Sequence, residues 1–348
     1  QLRIDTVGIL SVFSYLMTTE ENYRALKEMA AIGAIARRSS IGLTGADRAS
    51  YLHGLLTNDI QALTPGTGCY AAWLTPQGRM LTDIHIFESG DMMLLDVPAD
   101  LLSATLERLD QFLFSEDVQI ADLSETLTAV WLHGPAAASV IEEALTGVAG
   151  AASWPEYHNA RAEFGGAPVV VARVSQLGVP GFVVYTDPTH QSELLRALVE
   201  NDGVVADPAA IEAARIEAGY PLFGVDMTEE TIPLEAGIED RAISMTKGCY
   251  VGQEVIIRVL HRGGGRVAKR LVALRIKGDQ PDGIPSSGAR VFSEERDIGG
   301  VTSAARSPNL GAIALGYVHR DFVAAGTELE VETPSGRVPA VVSDRPMT

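Results

Sequence analysis

"MTKGCYVGQEVIIR" occupies residues 245–258. It places Cys249, one of only two cysteines in 348 residues, among Lys247, Gly248, Tyr250, Gly252, Gln253 and Glu254. The segment is too polar for a core. Gly248 and Gly252 permit sharp turns and close approach of the backbone to a ligand. Lys247 offers a cation, Gln253 an amide and Glu254 a carboxylate. A lysine close to Cys249 favours the thiolate and makes the cysteine reactive. The plainer reading is that Cys249 is a small buried hydrophobe, the commoner fate of a free cysteine. His261 lies twelve positions on, and no local signature joins it to Cys249 as a nucleophilic dyad.

Downstream, Arg258, His261, Arg262, Arg266, Lys269 and Arg270 cluster around "RGGGR". They form either a solvated loop or a small cationic patch for an anionic ligand. The GGG at 263–265 is not a phosphate-binding loop, because no Gly-Lys-Ser/Thr follows. Beyond residue 268, "RLVALRIKG", "GARVFS", "DIGGVTSAAR", "GAIALGYVHR", "GTELEVE" and "RVPAVVS" are short strands with Gly, Pro and Ser turns. That spacing predicts a small antiparallel barrel or sandwich, with a boundary near 265–268.

Upstream, apolar spacing predicts a helix over 20–37, then a strand at "IGLTG" and a helix at "GADRASYLHGLL", with Asp47 near its first turn. Residues 68–98 read as a strand meander turning at "PQG" and "ESGD". In "MLTDIHIF" the alternation puts Leu81, Asp83, His85 and Phe87 on one face. Amphipathic helices follow over 101–114, 190–203 and 208–221. A second strand–helix unit spans 118–145, and a hairpin spans 168–187. The fold class is therefore α+β: two related strand–helix lobes, then the barrel.

Two carboxylates stand out. Asp83, if partly desolvated, can accept or hold a proton from an amine or pterin nitrogen; otherwise it is an edge-strand aspartate facing water. Glu217, near the "AGYP" break, can accept the N–H groups of a 2-amino-4-oxo heterocycle; otherwise it is a surface glutamate at a helix end. Glu212 can pair with Arg215 at i,i+3. Cys69, in "TGCYAAW", reads as core. The seven histidines show no metal-ligand spacing, and no Gly-x-Ser-x-Gly, Walker or dinucleotide motif appears.

The bulk numbers narrow the classes. A formal charge of −18 argues against direct nucleic-acid binding, which needs a basic face. No apolar run reaches the roughly 18 residues of a membrane span. The apolar "VGILSVFSYLM" at 7–17 reads as a core or docking segment rather than a signal peptide. Two cysteines 180 positions apart form no disulfide framework, which points to a reducing cytoplasm.

"KGCYVGQEVIIR" resembles the signature of the YgfZ family of folate-binding proteins, relatives of the glycine-cleavage T-protein. "LTGADRASYLHGLLTNDI" (43–60), "LTPQGRMLTDIHIF" (74–87), "ARIEAGYPLFGVDMTEETIPLEAGI" (214–238) and "GGVTSAARSPNLGAIALGYV" (299–318) agree in order. The resemblance implies an N-terminal segment (1–21), an aminomethyltransferase-like folate-binding domain around a central cavity (22–265) and a C-terminal β-barrel (266–348). It implies tetrahydrofolate as cofactor, with Asp83 as the key acid at the reacting nitrogen and Glu217 on the pterin. Lys247 approximately replaces an arginine of the T-protein, with Tyr250 and Gln253 beside the cofactor. That departure favours folate-dependent support of iron–sulfur cluster assembly or repair, with Cys249 as the reactive group and iron–sulfur assembly proteins or client enzymes as partners. The alternative is one-carbon transfer from an amine to tetrahydrofolate.

Overall fold

The computed structural model describes residues 17–262, 266–278 and 283–347. The apolar stretch at 7–16 and the glycines at 263–265, where the sequence places a boundary, lie outside the described residues. The chain forms two compact units. One gathers the residues up to Ala46 with Leu63–Gly68 and His85–Ile211; the other comprises Asp47–Ala62, Cys69–Ile84 and the residues from Glu212 on.

In the first unit, α1 (Thr19–Glu28) starts at a capping box. The Thr18 hydroxyl accepts the Glu21 N–H, and the Glu21 carboxylate accepts the Thr18 N–H. Tyr23, Ala25 and Leu26 are its buried face. The helix is shorter than the spacing over 20–37 predicts, because Ala30–Ile32 forms strand β1 instead. β1 pairs in parallel with β11 (Gly203–Val205) and antiparallel with β7 (Thr128–His133). Two ladders of backbone hydrogen bonds outweigh the modest helix propensity of "AAIGA". The resulting sheet runs β11-β1-β7-β10-β9-β8, with β8 (Asn159–Phe164), β9 (Ala167–Arg173) and β10 (Gly181–Thr186). Helices α4 (Ala137–Ala144) and α5 (Gln191–Glu200) bury Ile141, Leu194 and Leu198 in the core beside Leu132, Phe182 and Val184. Full burial of each such side chain contributes roughly 1.5–3 kcal/mol.

The meander over 68–98 forms as read: β3 (Gly68–Leu74), β4 (Met80–Glu88) and β5 (Met93–Pro98). They join β2 (Arg38–Thr44) and β6 (Gln119–Asp122) in the order β3-β4-β5-β2-β6, with α3 (Leu102–Gln111) between β5 and β6 along the chain. β4 is thus an inner strand. Its alternating pattern suggests one wet face, yet Thr82 through Glu88 are all buried.

The second unit holds α2 (Arg48–Leu55), α6 (Pro208–Glu217, whose last turn lies here), the single-turn helices α7 (Pro233–Ala236) and α8 (Glu239–Ala242), and α9 (Gln253–Ile257). The strands expected after residue 268 close into a six-stranded antiparallel barrel, β12-β15-β14-β13-β16-β17. They are β12 (Lys269–Ile276), β13 (Arg290–Ser293), β14 (Arg296–Ser307), β15 (Gly311–His319), β16 (Glu328–Thr333) and β17 (Gly336–Ser343). β12 closes it by pairing with both β15 and β17, which removes the exposed edges. Leu274, Val291, Ala314, Val318 and Val331 fill the interior. Among the described residues, no helix is long and apolar enough to cross a membrane.

Candidate functional site

Asp83 sits on β4 in the second unit and is 2% exposed. It is not an edge-strand carboxylate facing water. The buried Tyr70 of β3 donates its phenol O–H to Asp83 at 2.9 Å. Burial raises the Tyr70 pKa well above its ordinary value, the Asp83 charge adds to the rise, and Arg241 opposes it. Tyr70 therefore stays a proton donor, and the carboxylate is held in one orientation. The Arg241 guanidinium lies over two rings, 4.9 Å from the centroid of Tyr70 and 4.0 Å from that of Tyr220. Such contacts suit a delocalised cation over aromatic faces.

Glu217 ends α6 and is 6% exposed, so it is not a surface residue. The Ser307 hydroxyl donates to it, and its carbonyl accepts the Met347 N–H at 2.7 Å. Its position follows from Arg215, which is fully buried. Arg215 donates twice to Glu212 (2.8 and 2.6 Å) and once each to Asp226 (2.7 Å), Ser303 (2.8 Å) and the Tyr220 carbonyl (2.6 Å). The i,i+3 pair with Glu212 is thus one part of a network that pins the "EAGYP" turn to β14. The turn places Tyr220 against Arg241, which links the end of α6 to Tyr70 and Asp83.

The signature segment behaves differently. Lys247 donates to three carbonyls at the end of α2: His53 (2.5 Å), Leu56 (2.5 Å) and Asn58 (3.0 Å). It caps carbonyls that a helix end leaves without partners. Burial pushes its ammonium down to about 8, against the pull of Asp59 and Cys69. The thiol its charge reaches is Cys69, which burial nevertheless pushes up to about 12. Gly252 has φ +84°, and a Cβ there would lie 2.5 Å from the Thr75 carbonyl. Its glycine is required by packing against the β3–β4 turn. Tyr250 is buried, with the Lys247 ammonium 5.0 Å from its ring centroid. Tyr250 and Gln253 line a cleft of about 300 Å³ with Met245, Ile256 and Ile257. Cys249 is exposed, so it is not a buried hydrophobe. Of the basic cluster, Arg258 pairs with Glu254 and Arg270 with Glu239.

Tyr70, Tyr220, Arg241 and Arg345 escaped the sequence reading. Each is a lone residue in an unremarkable context. Arg345 follows the last strand, β17, and lies in no motif. It lines a cleft of about 200 Å³ with Gly219, Tyr220, Gly237, Asp240 and Arg241.

The chain matches the model of the GCVT N-terminal domain over residues 11–247 and that of the glycine cleavage T-protein C-terminal barrel domain over 269–348. It belongs to the glycine cleavage T-protein family. Curated relatives include proteins named aminomethyltransferase. The one from Nostoc sp. is 29% identical over 93% of this chain and 86% of its own. That from Synechocystis sp. is 30% identical (90% and 84%), and that from Rubrobacter xylanophilus 31% (85% and 78%). The fold matches the glycine cleavage system aminomethyltransferase T of Bartonella henselae with a TM-score of 0.85 at 23% identity, covering 97% of this chain and 91% of that one.

These relatives overturn the expectation of iron–sulfur cluster assembly or repair, and with it the iron–sulfur partners. Proteins named aminomethyltransferase match along nearly the whole chain. In the signature segment around Cys249, which had favoured that expectation, Lys247 and Gly252 serve packing.

Proposed function

We propose that this protein is a folate-dependent aminomethyltransferase that moves a one-carbon unit from an amine to tetrahydrofolate. The observation that carries the reading is Asp83, a buried carboxylate oriented by Tyr70 and joined through Arg241 and Tyr220 to the turn bearing Glu217. The names of the relatives support it. The donor set suits tetrahydrofolate: carboxylates are acceptors, the ring is rich in N–H donors, and cationic side chains lie near for its acidic end. When bound, tetrahydrofolate supplies the amine nitrogens that receive the one-carbon unit.

In this reading Asp83 accepts or holds the proton at the reacting nitrogen. General acid–base help of this kind is worth about 10²–10⁴-fold. Glu217 accepts ring N–H groups and fixes the orientation of the heterocycle. Tyr70 is a positioning residue that acts through Asp83. Lys247 positions the segment whose Tyr250 and Gln253 line the neighbouring cleft. None of these steps uses Cys249. A reducing cytoplasm is the setting we propose, supported by two free thiols.

The test is turnover. Purified protein given tetrahydrofolate and an aminomethyl-lipoyl carrier should release ammonia and form methylenetetrahydrofolate. Titration with tetrahydrofolate should weaken in Glu217→Gln, whereas Asp83→Asn should bind and fail to turn over. Absence of both binding and turnover in the wild-type protein would refute the assignment.

A further inference from the structure

The outer face of the barrel carries two opposite charges that share a cleft and do not meet. Helix α7 packs against β12. Beside it lies a cleft of about 400 Å³ lined by Glu235, Lys269, Ile298, Gly300, Tyr317 and His319, all within the second unit. Glu235 is 8% exposed. Among the described residues its carboxylate accepts a single long hydrogen bond, from the Ile232 N–H at 3.5 Å, and forms no ion pair. Burial raises its pKa above the ordinary value, against the charge of Lys269, the Ile232 N–H and the charge of Arg79. Lys269 forms no ion pair among the described residues either. Its ammonium sits 4.9 Å from the Tyr317 ring centroid. A buried carboxylate is ordinarily paired, yet the lysine that shares its cleft stays out of ion-pair reach.

The rest of the wall is fixed and largely apolar. Lys269 and His319 are direct partners in the β12–β15 ladder, so both stand on the same face as Tyr317. The His319 Nδ1 lies 3.3 Å from the Asp321 carboxylate, which leaves Nε2 as its second donor. Position 299 tolerates only glycine, because a Cβ there would overlap the Tyr317 carbonyl. With Gly300 beside it, β14 presents bare main chain next to Ile298. The Tyr317 phenol oxygen is buried and reaches no partner in good geometry, Thr231 included. A simple anion in this cleft would face Glu235, and a simple cation would face Lys269, each with a repulsive cost. A molecule that carries both signs offsets both charges.

We propose that this cleft binds a free α-amino acid with an apolar side chain, its ammonium on Glu235 and its carboxylate on Lys269 and His319. Ile298 and the Gly299–Gly300 stretch receive the side chain, where a third charge would lack a counter-group. The site uses none of Asp83, Tyr70 and Glu217, and the inference does not depend on the folate reading.

The experiment is calorimetric titration of the protein with alanine, valine and leucine. Each is measured beside the amine and the carboxylate that retain its side chain, isopentylamine and isocaproate in the case of leucine. At least one amino acid should bind saturably below about 10 mM, about tenfold or more tighter than either of its analogues. Glu235→Gln keeps an acceptor for the Ile232 N–H, and Lys269→Met keeps an apolar stem over Tyr317. Each should cut the amino-acid affinity about tenfold with an unchanged melting temperature. Glu235→Gln should spare the carboxylate analogue and Lys269→Met the amine, a pattern that general loss of structure does not produce. Three results overturn the proposal: no saturable binding of any of the three amino acids by the wild-type protein, amino acids bound no tighter than their analogues, or amino-acid affinity that survives both substitutions.

Discussion

His133 offers a prediction with a sign and a size. It ends β7, is fully buried, and stacks on Trp131 at 6.0 Å between ring centroids. Neither ring nitrogen has a hydrogen bond of good geometry, and the Gly33 backbone only partly offsets the burial, which pushes the imidazole from its ordinary 6.5 to about 4. The folded pKa lies below the unfolded one, so the unfolded chain binds the extra proton. Stability is whole above pH 6.5 and is lost as pH falls towards 4. The gap of about 2.5 is worth roughly 3.4 kcal/mol at full extent, of which about 2 kcal/mol is gone at pH 5. The perturbation is His133→Phe, which keeps a flat ring against Trp131 and removes the titration. Guanidinium unfolding followed by circular dichroism at pH 7.5, 6 and 5 gives the stability of each protein. Packing costs of the new ring cancel, because only the change with pH is compared. Wild type should lose about 2 kcal/mol more than the variant between pH 7.5 and 5. Parallel losses would refute the buried neutral imidazole.

Asp83→Asn should lower turnover by about 10²–10⁴-fold with an unchanged melting temperature, because the amide oxygen still accepts from Tyr70. Tyr70→Phe should lower kcat by about tenfold while tetrahydrofolate affinity holds, read by steady-state kinetics beside binding. Lys247→Met strips a charged donor from three carbonyls and should destabilise the protein by about 3 kcal/mol in thermal unfolding. Cys249→Ser should leave turnover and tetrahydrofolate binding unchanged; a tenfold loss would return the thiol to the chemistry.

The barrel shows how far a pattern reaches. Alternating apolar residues and turn glycines beyond residue 268 specify short antiparallel strands, because each strand's face is set by neighbours two positions away. Closure rather than a sandwich depended on β12 finding both β15 and β17, which no local spacing states. The same limit shortened α1: "AAIGA" has helical spacing, yet distant strands claimed Ala30–Ile32.

At the site, sequence motifs identified Asp83 and Glu217 as worth attention but left their burial open, since a carboxylate on a strand or at a helix end reads alike whether wet or dry. Residue types around Lys247 and Gly252 suggested ligand contact; packing explains both, because a glycine needed by a neighbouring carbonyl and one needed by a ligand look identical in one dimension. By itself, then, the sequence determined most of the secondary structure, the kinship with the glycine-cleavage T-protein and the two carboxylates to weigh. Only the tertiary structure brought Tyr70 to Asp83 and laid Arg241 against two rings. Local order follows from short-range sterics and hydrophobic period, whereas the pairing of charges far apart in the chain is settled only when the packed core fixes which surfaces meet.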